Sequence, residues 1–215
     1  MSQTLILASG SPRRRELIAS LGLNFTIIKP DIDETPQPGE SPADYAGRLS
    51  REKASAVLAA LDGDATVLAA DTVVVLSADT LGVTGDGELL EKPADFDEGC
   101  TMLRRLRGRP HQVVTAFTVE SSGGKRHSER VVTTVTMREF TDDEINAYVM
   151  SGDSLDKAGG YAIQHNGFRP VARIDGCYNN VVGLPLCAVK RTLVDFGFTG
   201  INAVESGCDC PVYMG

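Results

Sequence analysis

The sequence is poor in the side chains that announce a metal centre, a disulfide framework or a polyanion-binding surface. Its 215 residues hold five cysteines, Cys100, Cys177, Cys187, Cys208 and Cys210. They are odd in number and scattered, which suits a reducing compartment better than a disulfide scaffold. Cys208 and Cys210 form a C-x-C near the C-terminus, but a closed zinc site needs about four ligands and no His-rich stretch accompanies them. The pair therefore reads as part of an inert tail over about residues 197–215. The three histidines, His111, His127 and His165, are too far apart in sequence to suggest zinc. Positive charge is in deficit: the net charge is −8, which argues against wholesale binding to nucleic acid or to a membrane surface. No apolar run is long enough to span a bilayer, and the N-terminus lacks the shape of a signal peptide, so the expected location is cytoplasmic. Two catalytic signatures are also missing. There is no G-x-x-x-x-G-K-[ST] phosphate loop and no G-x-S-x-G nucleophile elbow.

What remains is 42% hydrophobic and 23% charged, enough for a single domain across residues 1–215, with or without two lobes. Strand and helix patterns alternate, which predicts an α/β fold. "TLILA" (4–8) reads as a buried strand. Pro12 to Leu21 reads as a helix with Ser11 as its N-cap, Pro12 at its first position and Gly22 beyond its end. "NFTII" (24–28) reads as a strand, "DIDETPQPGE" as an acidic loop, and Ser41-Pro42 opens a helix to about Leu61. "TVLAADTVVVL" (66–76) reads as a central strand because its apolar character is nearly continuous. Residues 77–91 read as a polar, Gly-rich loop or loose hairpin, and Phe96 to Leu106 as a helix. "HQVVTAFTVE" and "ERVVTTVTMREF" are β-rich and joined by "SSGGKRH", a hairpin pattern. Thr141 and Glu144 form a capping box that opens a helix to about Val149. Short strands and a last helix, Leu186 to Phe196, complete the chain. The β-rich middle could form its own lobe and leave a cleft, where ligands favour binding.

Three features break structural rules. Arg13, Arg14 and Arg15 crowd the first turn of a helix, where each cation costs about 0.3–1 kcal/mol against the helix dipole. They are either a solvated basic patch or an anion site, since a strand-to-helix turn with free N–H groups suits phosphate. Lys53 falls in the apolar stripe formed by Tyr45, Leu49, Val57 and Leu61. It either snorkels from the stripe's edge or points inward toward a phosphate. Asp71 interrupts the apolar run "TVLAADTVVVL". A buried carboxylate needs a partner, a metal or a chemical task, although a strand end at Asp71 would also place it at a turn. In α/β sheets ligands gather near the carboxyl ends of strands. Position 73 is Val, which argues against an aspartyl-phosphate mechanism. Weaker features accompany these: "EKP" (91–93), the Gly-rich "DKAGGYAIQ" (156–164) and the loop acid Glu34, which could share a cation with Asp71. Asp156 and Lys157 also fit a simple local salt bridge.

"LASGSPRR", "REKA", "AADTVV", "EKP", "HQVVTAF", "DKAGGYAIQ" and "NVVGLPL" stand in the order seen in the Maf family, and the chain resembles that family from about Leu5 to Phe196. The resemblance implies a mixed sheet in two lobes around a central cleft, related to the inosine triphosphatase architecture. It implies a nucleoside triphosphate pyrophosphatase, of the branch acting on dTTP and UTP. Carried over by position, Asp71 would accept a proton from water. Arg13, Thr72 and Gln164 match positions associated with pyrimidine specificity. Ser9, Arg14, Lys53 and Lys92 would hold the triphosphate, and Glu34 and Asp71 would hold a divalent cation, magnesium or manganese. The partner is then a small-molecule nucleotide, and a homodimer is usual in the family. Two positions depart from the family pattern. His165 stands where bacterial members usually have Gly, beside Gln164, and the stretch 77–91 is longer than usual, which puts Lys92 on a more mobile loop.

Two other function classes are weighed against this one. A binding protein without chemistry, acting in cell division, is disfavoured by the presence of Asp71 and all four basic positions. A nucleic-acid binder acting through "SPRRR" fits the global charge poorly.

Overall fold

The computed structural model describes residues 4–76 and 87–204. The Cys208/Cys210 pair and residues 77–86 of the expected loop lie outside the described residues. Among the described residues seven strands form one mixed sheet in the order β2-β1-β3-β5-β6-β7, with β4 paired to the edge of β3. β1 (Thr4–Ala8) runs parallel to β2 (Phe25–Ile27) and to β3 (Ala65–Leu76). β3, β5 (Pro110–Ser121), β6 (Arg126–Met137) and β7 (Val171–Asp175) are successively antiparallel, and β4 (Glu88–Leu90) is antiparallel to β3. The helices are α1 (Pro12–Ser20), α2 (Pro42–Ala59), α3 (Phe96–Leu106), α4 (Asp142–Met150), α5 (Tyr178–Val182) and α6 (Leu186–Asp195).

The local signals act as their chemistry requires. The Ser11 and Ser41 hydroxyls accept from the Arg14 and Asp44 amides, each with Pro at the head of the helix. Thr141 and Glu144 form the reciprocal capping box. The β5–β6 hairpin extends closer to its turn than the residue pattern indicated, down to the Glu120–Arg126 pair. Of the two alternatives for 77–91, the hairpin is the one observed: Glu88–Leu90 runs antiparallel to Val74–Leu76, so Lys92 follows a paired strand. One reading needs correction: among the described residues the stretch before the last helix contains one strand, β7, and the short α5, not several strands. α5 has only five residues and is held by tertiary contacts: Asn180 Nδ2 donates to Val113 O and to Thr133 Oγ1. Of the segment read as a tail, Phe198, Ile201 and Val204 pack on the core, and the Asn202 amide donates to Leu21 O.

β3 sorts the core. Its alternating side chains face opposite sides of the sheet. Leu68 and Ala70 join Leu5, Ile18, Phe117 and Leu193 on the first side, beneath α1 and α6. Farther along the same side, Val74 joins Leu103, Val113, Val135 and Ile145, beneath α3 and α4. On the second side Ala65, Val67 and Ala69 meet Ala54 and Val57, while Val73 and Val75 meet Ala43 and Ala46, so α2 covers both halves. Asp71 and Thr72 sit where the halves meet. They also sit at a gap in the ladder. One edge of β3 pairs with β1 over Ala65–Ala69 and with β4 over Val74–Leu76, so residues 70–73 have no strand neighbour on that edge.

The second half of the core holds a buried histidine. His111 on β5 is 1% exposed, and its Nε2 lies 2.6 Å from the Tyr161 hydroxyl. Burial pushes its pKa down to about 3. The unfolded chain binds this proton near pH 6.5, so between about pH 6.5 and 3 the unfolded state carries the extra proton and stability falls as pH falls. His111→Gln keeps a polar partner for Tyr161 and cannot titrate. Urea melts of both proteins should show wild type losing up to about 1.4 kcal/mol more per pH unit than the variant on acidification below pH 6. Parallel pH dependences would rule out His111 as a neutral core residue.

Candidate active site

The gap in the β3 edge is where the rule-breaking residues meet. Asp71 faces α2 and is 9% exposed. Lys53, in the buried face of α2, reaches it with Nζ 2.7 Å from Oδ1. Lys53 thus points inward and not along the stripe's edge to solvent: the residue is 7% exposed, and the group its ammonium meets here is a carboxylate. The same ammonium lies 3.1 Å from Glu34 Oε1. Glu34 is brought in by a folded acidic loop. Tyr45 Oη donates to Glu34 O at 2.8 Å, Arg48 donates to Thr35 O at 3.1 Å, and Arg48 pairs with Glu40 at 2.8 Å. Burial first, and then the nearby charges of Asp71, Glu34 and Glu91, push the Tyr45 hydroxyl up to about 12.

Thr72 faces the other side, toward α1 and α5. There Arg14 is the organising group. Its Nη2 donates to Thr72 Oγ1 at 2.9 Å, its Nη1 to Ala70 O at 2.8 Å and its Nε to Gly183 O at 2.9 Å. Ala70 O belongs to the unpaired stretch of β3, so the guanidinium supplies a donor that a neighbouring strand would otherwise supply. Nη1 also lies 3.5 Å from Ser9 Oγ, which accepts from the Ser11 amide at 3.2 Å and shapes the turn into α1. Loss of hydration lowers the Arg14 pKa, Asp71 counters this, Arg13 adds to the lowering and Glu34 counters it again. The guanidinium stays charged, because its unperturbed value lies far above neutrality. Arg13 is half-buried and has no hydrogen bond or ion pair among the described residues, and Arg15 is exposed.

Several contributors were not singled out from sequence. Thr115 lies opposite Thr72 in register, and their hydroxyls are 2.9 Å apart. Thr115 also donates to Asn180 O at 3.3 Å, which ties α5 to the strand pair. The signal was visible: Thr115 interrupts "HQVVTAF" much as Asp71 interrupts its own run. Lys29 is a second omission. A Cβ at Gly10 would lie 3.6 Å from the Lys29 side chain, so this exposed cation rests on the Ser9–Ser11 turn.

The structure thus gathers Lys53, Asp71 and Glu34 on one face of the sheet and Arg14, Thr72 and Ser9 on the other, both at the gap in the β3 edge, with Arg13 next to Arg14 in sequence and making no hydrogen bond or ion pair among the described residues. Lys92 is exposed just past β4 and makes no hydrogen bond or ion pair with any of them among the described residues. Gln164 is also apart. It lines a groove of about 560 Å³ with Ile163, His165, Arg173, Ile174 and Tyr178. Ile174 is paired with Val135, so the groove lies on the Thr72 side of the sheet, and α5 runs from Tyr178 in the groove to Gly183 beside Arg14.

A family profile described as Maf-like protein matches residues 4–196. A dTTP/UTP pyrophosphatase from Vibrio parahaemolyticus serotype O3:K6 is 48% identical, over 91% of this chain and 98% of that protein. A dTTP/UTP pyrophosphatase from Escherichia coli O157:H7 is also 48% identical, over 90% of this chain and 93% of its own. Among solved structures, a HAM1 protein from Coxiella burnetii is 17% identical with a TM-score of 0.48, covering 90% of this chain and 100% of that one.

The guanidinium geometry yields a test that is independent of catalysis. Arg14→Lys keeps the charge but cannot reach Ala70 O, Thr72 and Gly183 O at once. Unfolding in urea should show a loss of about 1–3 kcal/mol, the cost of leaving such acceptors unmet. An unchanged midpoint would mean that the three-way clamp does not form.

Proposed function

The chain belongs to the Maf family, and we propose that it hydrolyses the pyrimidine nucleoside triphosphates dTTP and UTP to the monophosphate and pyrophosphate. The observation that carries the reading is the pairing of a buried carboxylate, Asp71, with a concentration of cations at a gap in the sheet of an acidic protein. The relatives named dTTP/UTP pyrophosphatase support the substrate.

A triphosphate is a polyanion that a net charge of −8 would repel. Arg13, Arg14, Lys53 and Lys92 offset that repulsion locally, and the α1 N-terminus adds its partial positive charge. Lys53 holds Asp71 by Oδ1 and leaves Oδ2 without a hydrogen bond among the described residues. Asp71 takes the proton of a water as that water attacks the α-phosphorus. The bond from the α-phosphorus to the bridging oxygen breaks, and pyrophosphate leaves with the bond's electrons. Most of the acceleration comes from positioning and from fixed charge facing the transferred group. Gln164 donates and accepts, which suits the imide edge of uracil or thymine.

The donor set fits a divalent cation. Asp71 and Glu34 offer hard carboxylate oxygens beside the phosphate-binding charges, and magnesium commonly takes one or two carboxylates and completes its shell with water and phosphate. Among the described residues no group of three or more His, Cys, Asp or Glu side chains converges, so Asp71 and Glu34 would share the cation with substrate. When bound, magnesium or manganese neutralises phosphate charge and polarises the phosphorus. No described helix is long and apolar enough to cross a membrane. A cytoplasmic setting, a homodimeric state and the absence of a nucleic-acid partner belong to the same proposal.

Asp71→Asn should leave the fold intact, lower its stability by up to about 3 kcal/mol because the buried Lys53 ammonium loses its nearest counter-charge, and lower kcat by about 10²–10⁴, with KM for dTTP little changed. The assay is pyrophosphate release across a panel of pyrimidine and purine triphosphates with magnesium or manganese. Near-normal turnover by the variant would remove Asp71 from its role. Orthophosphate as the product would remove the pyrophosphatase reading. No turnover of any pyrimidine triphosphate by wild type would favour a non-catalytic nucleotide-binding regulator.

A further inference from the structure

A second buried cation lies away from Asp71. Lys157 is 8% exposed, in the segment that follows α4. Its Nζ donates to Asp153 O at 2.6 Å, to Asp153 Oδ1 at 2.8 Å and to Asp156 Oδ1 at 2.5 Å. The other oxygen of Asp153 accepts from the Tyr148 hydroxyl at 2.9 Å, and that hydroxyl in turn accepts from the Ala162 amide at 2.9 Å. Tyr148 is 3% exposed and does more with its ring. It stacks on Phe168 with centroids 4.5 Å apart, and His165 meets it edge-on at 4.8 Å. His165 closes the same segment on itself: its Nδ1 accepts from the Phe168 amide at 2.9 Å, and its carbonyl accepts from the Arg169 amide at 3.0 Å.

This cluster is more elaborate than the end of a helix requires. A buried ammonium is tolerated only when fully paired, and fully paired networks fix geometry more than they add stability. What this one fixes is specific. Gln164 lies two residues beyond the Ala162 amide that Tyr148 holds. At the other end of the segment, the Gly159 amide donates to Glu91 O at 3.1 Å, next to Lys92. A Cβ on Gly160 would lie 3.7 Å from Pro93, so the two loops also pack directly. Lys92 and Gln164 are the two candidate substrate residues with no hydrogen bond or ion pair to the Asp71 group among the described residues, and the segment 157–162, held by Lys157 at one end and by the Tyr148 hydroxyl at the other, is what meets the Lys92 loop.

We propose that Tyr148, Asp153 and Lys157 form a positioning network that fixes the Lys92 loop and the Gln164 loop relative to each other, and so sets the affinity for pyrimidine triphosphate without touching it. The inference rests on the pyrimidine-triphosphate reading above. It also gives His165 a place. Its imidazole braces the turn just after Gln164, which glycine at that position could not do.

Tyr148→Phe tests this, because it keeps the stacked ring and removes only the hydroxyl. KM for dTTP and UTP should rise about tenfold, since small displacements of positioning groups have large kinetic effects, while kcat stays within about twofold. Amide hydrogen exchange of residues 159–168 should accelerate in the variant, while exchange in β3 stays as in wild type. A role confined to stability predicts a different pattern: a lower thermal midpoint and a smaller active fraction, with KM unchanged. That result would overturn the proposal, as would unaltered exchange at Ala162 and its neighbours. If wild type turns over no pyrimidine triphosphate, the functional reading fails by itself, and unaltered exchange still counts against the network. Asp153→Asn provides a second variant that keeps the side-chain shape and should move KM and exchange in the same direction.

Discussion

The contact between Lys53 and Asp71 is the constraint around which the molecule is arranged. A carboxylate in the middle of a buried strand is costly, and a cation supplied from the covering helix makes it tenable. That cation can arrive only if α2 crosses both halves of the sheet, which it does, with Ala43 and Ala46 over one half and Ala54 and Val57 over the other. Small residues at those positions let the helix lie close to the strands. The acidic loop is then drawn in as well, since Glu34 reaches the same ammonium and Arg48 and Tyr45 anchor the loop's backbone. Strand, helix and loop are thus placed by one pair of opposite charges.

The opposite side of β3 is organised by Arg14. The three arginines at the head of α1 read in sequence as either a solvated patch or an anion site, and in the structure they divide by environment. Arg14 directs its donors to two carbonyls and a threonine, and it completes a strand edge that no strand completes. Arg15 is exposed, and Arg13 is left half-buried and unengaged among the described residues. Part of the unfavourable charge at the helix N-terminus therefore serves as a structural clamp, held in place by its hydrogen-bond geometry.

Much of this was legible in the residues. Helix starts were marked by Ser-Pro pairs and a capping box, and Asp71 stood out because a charge interrupted valines and alanines. Lys53 was ambiguous because helical spacing gives the face of a side chain but not what opposes it, and its partner is a strand residue 18 positions away. Thr115 and Asn180 were harder still. Each is an ordinary polar residue until strand register sets Thr115 beside Thr72 and tertiary contacts hold α5 against β5 and β6. β4 stayed open between loop and loose hairpin because three residues carry too little pattern to separate the two. Lys92 and Gln164 were named by resemblance, and their separation from Asp71 is a matter of topology that no local pattern encodes.

β3, β5 and β6 each run without interruption from one half of the core to the other. The gap beside Asp71 is therefore spanned by continuous strands rather than by a linker. Its walls cannot swing apart like two bodies on a flexible joint. They can move only as far as the twist and bend of hydrogen-bonded strands allow, and every such deformation is shared with the ladder on either side. The sheet is in mechanical terms a leaf spring with the Asp71 carboxylate at its midpoint, and the width of the gap beside that carboxylate is set by the stiffness of the sheet.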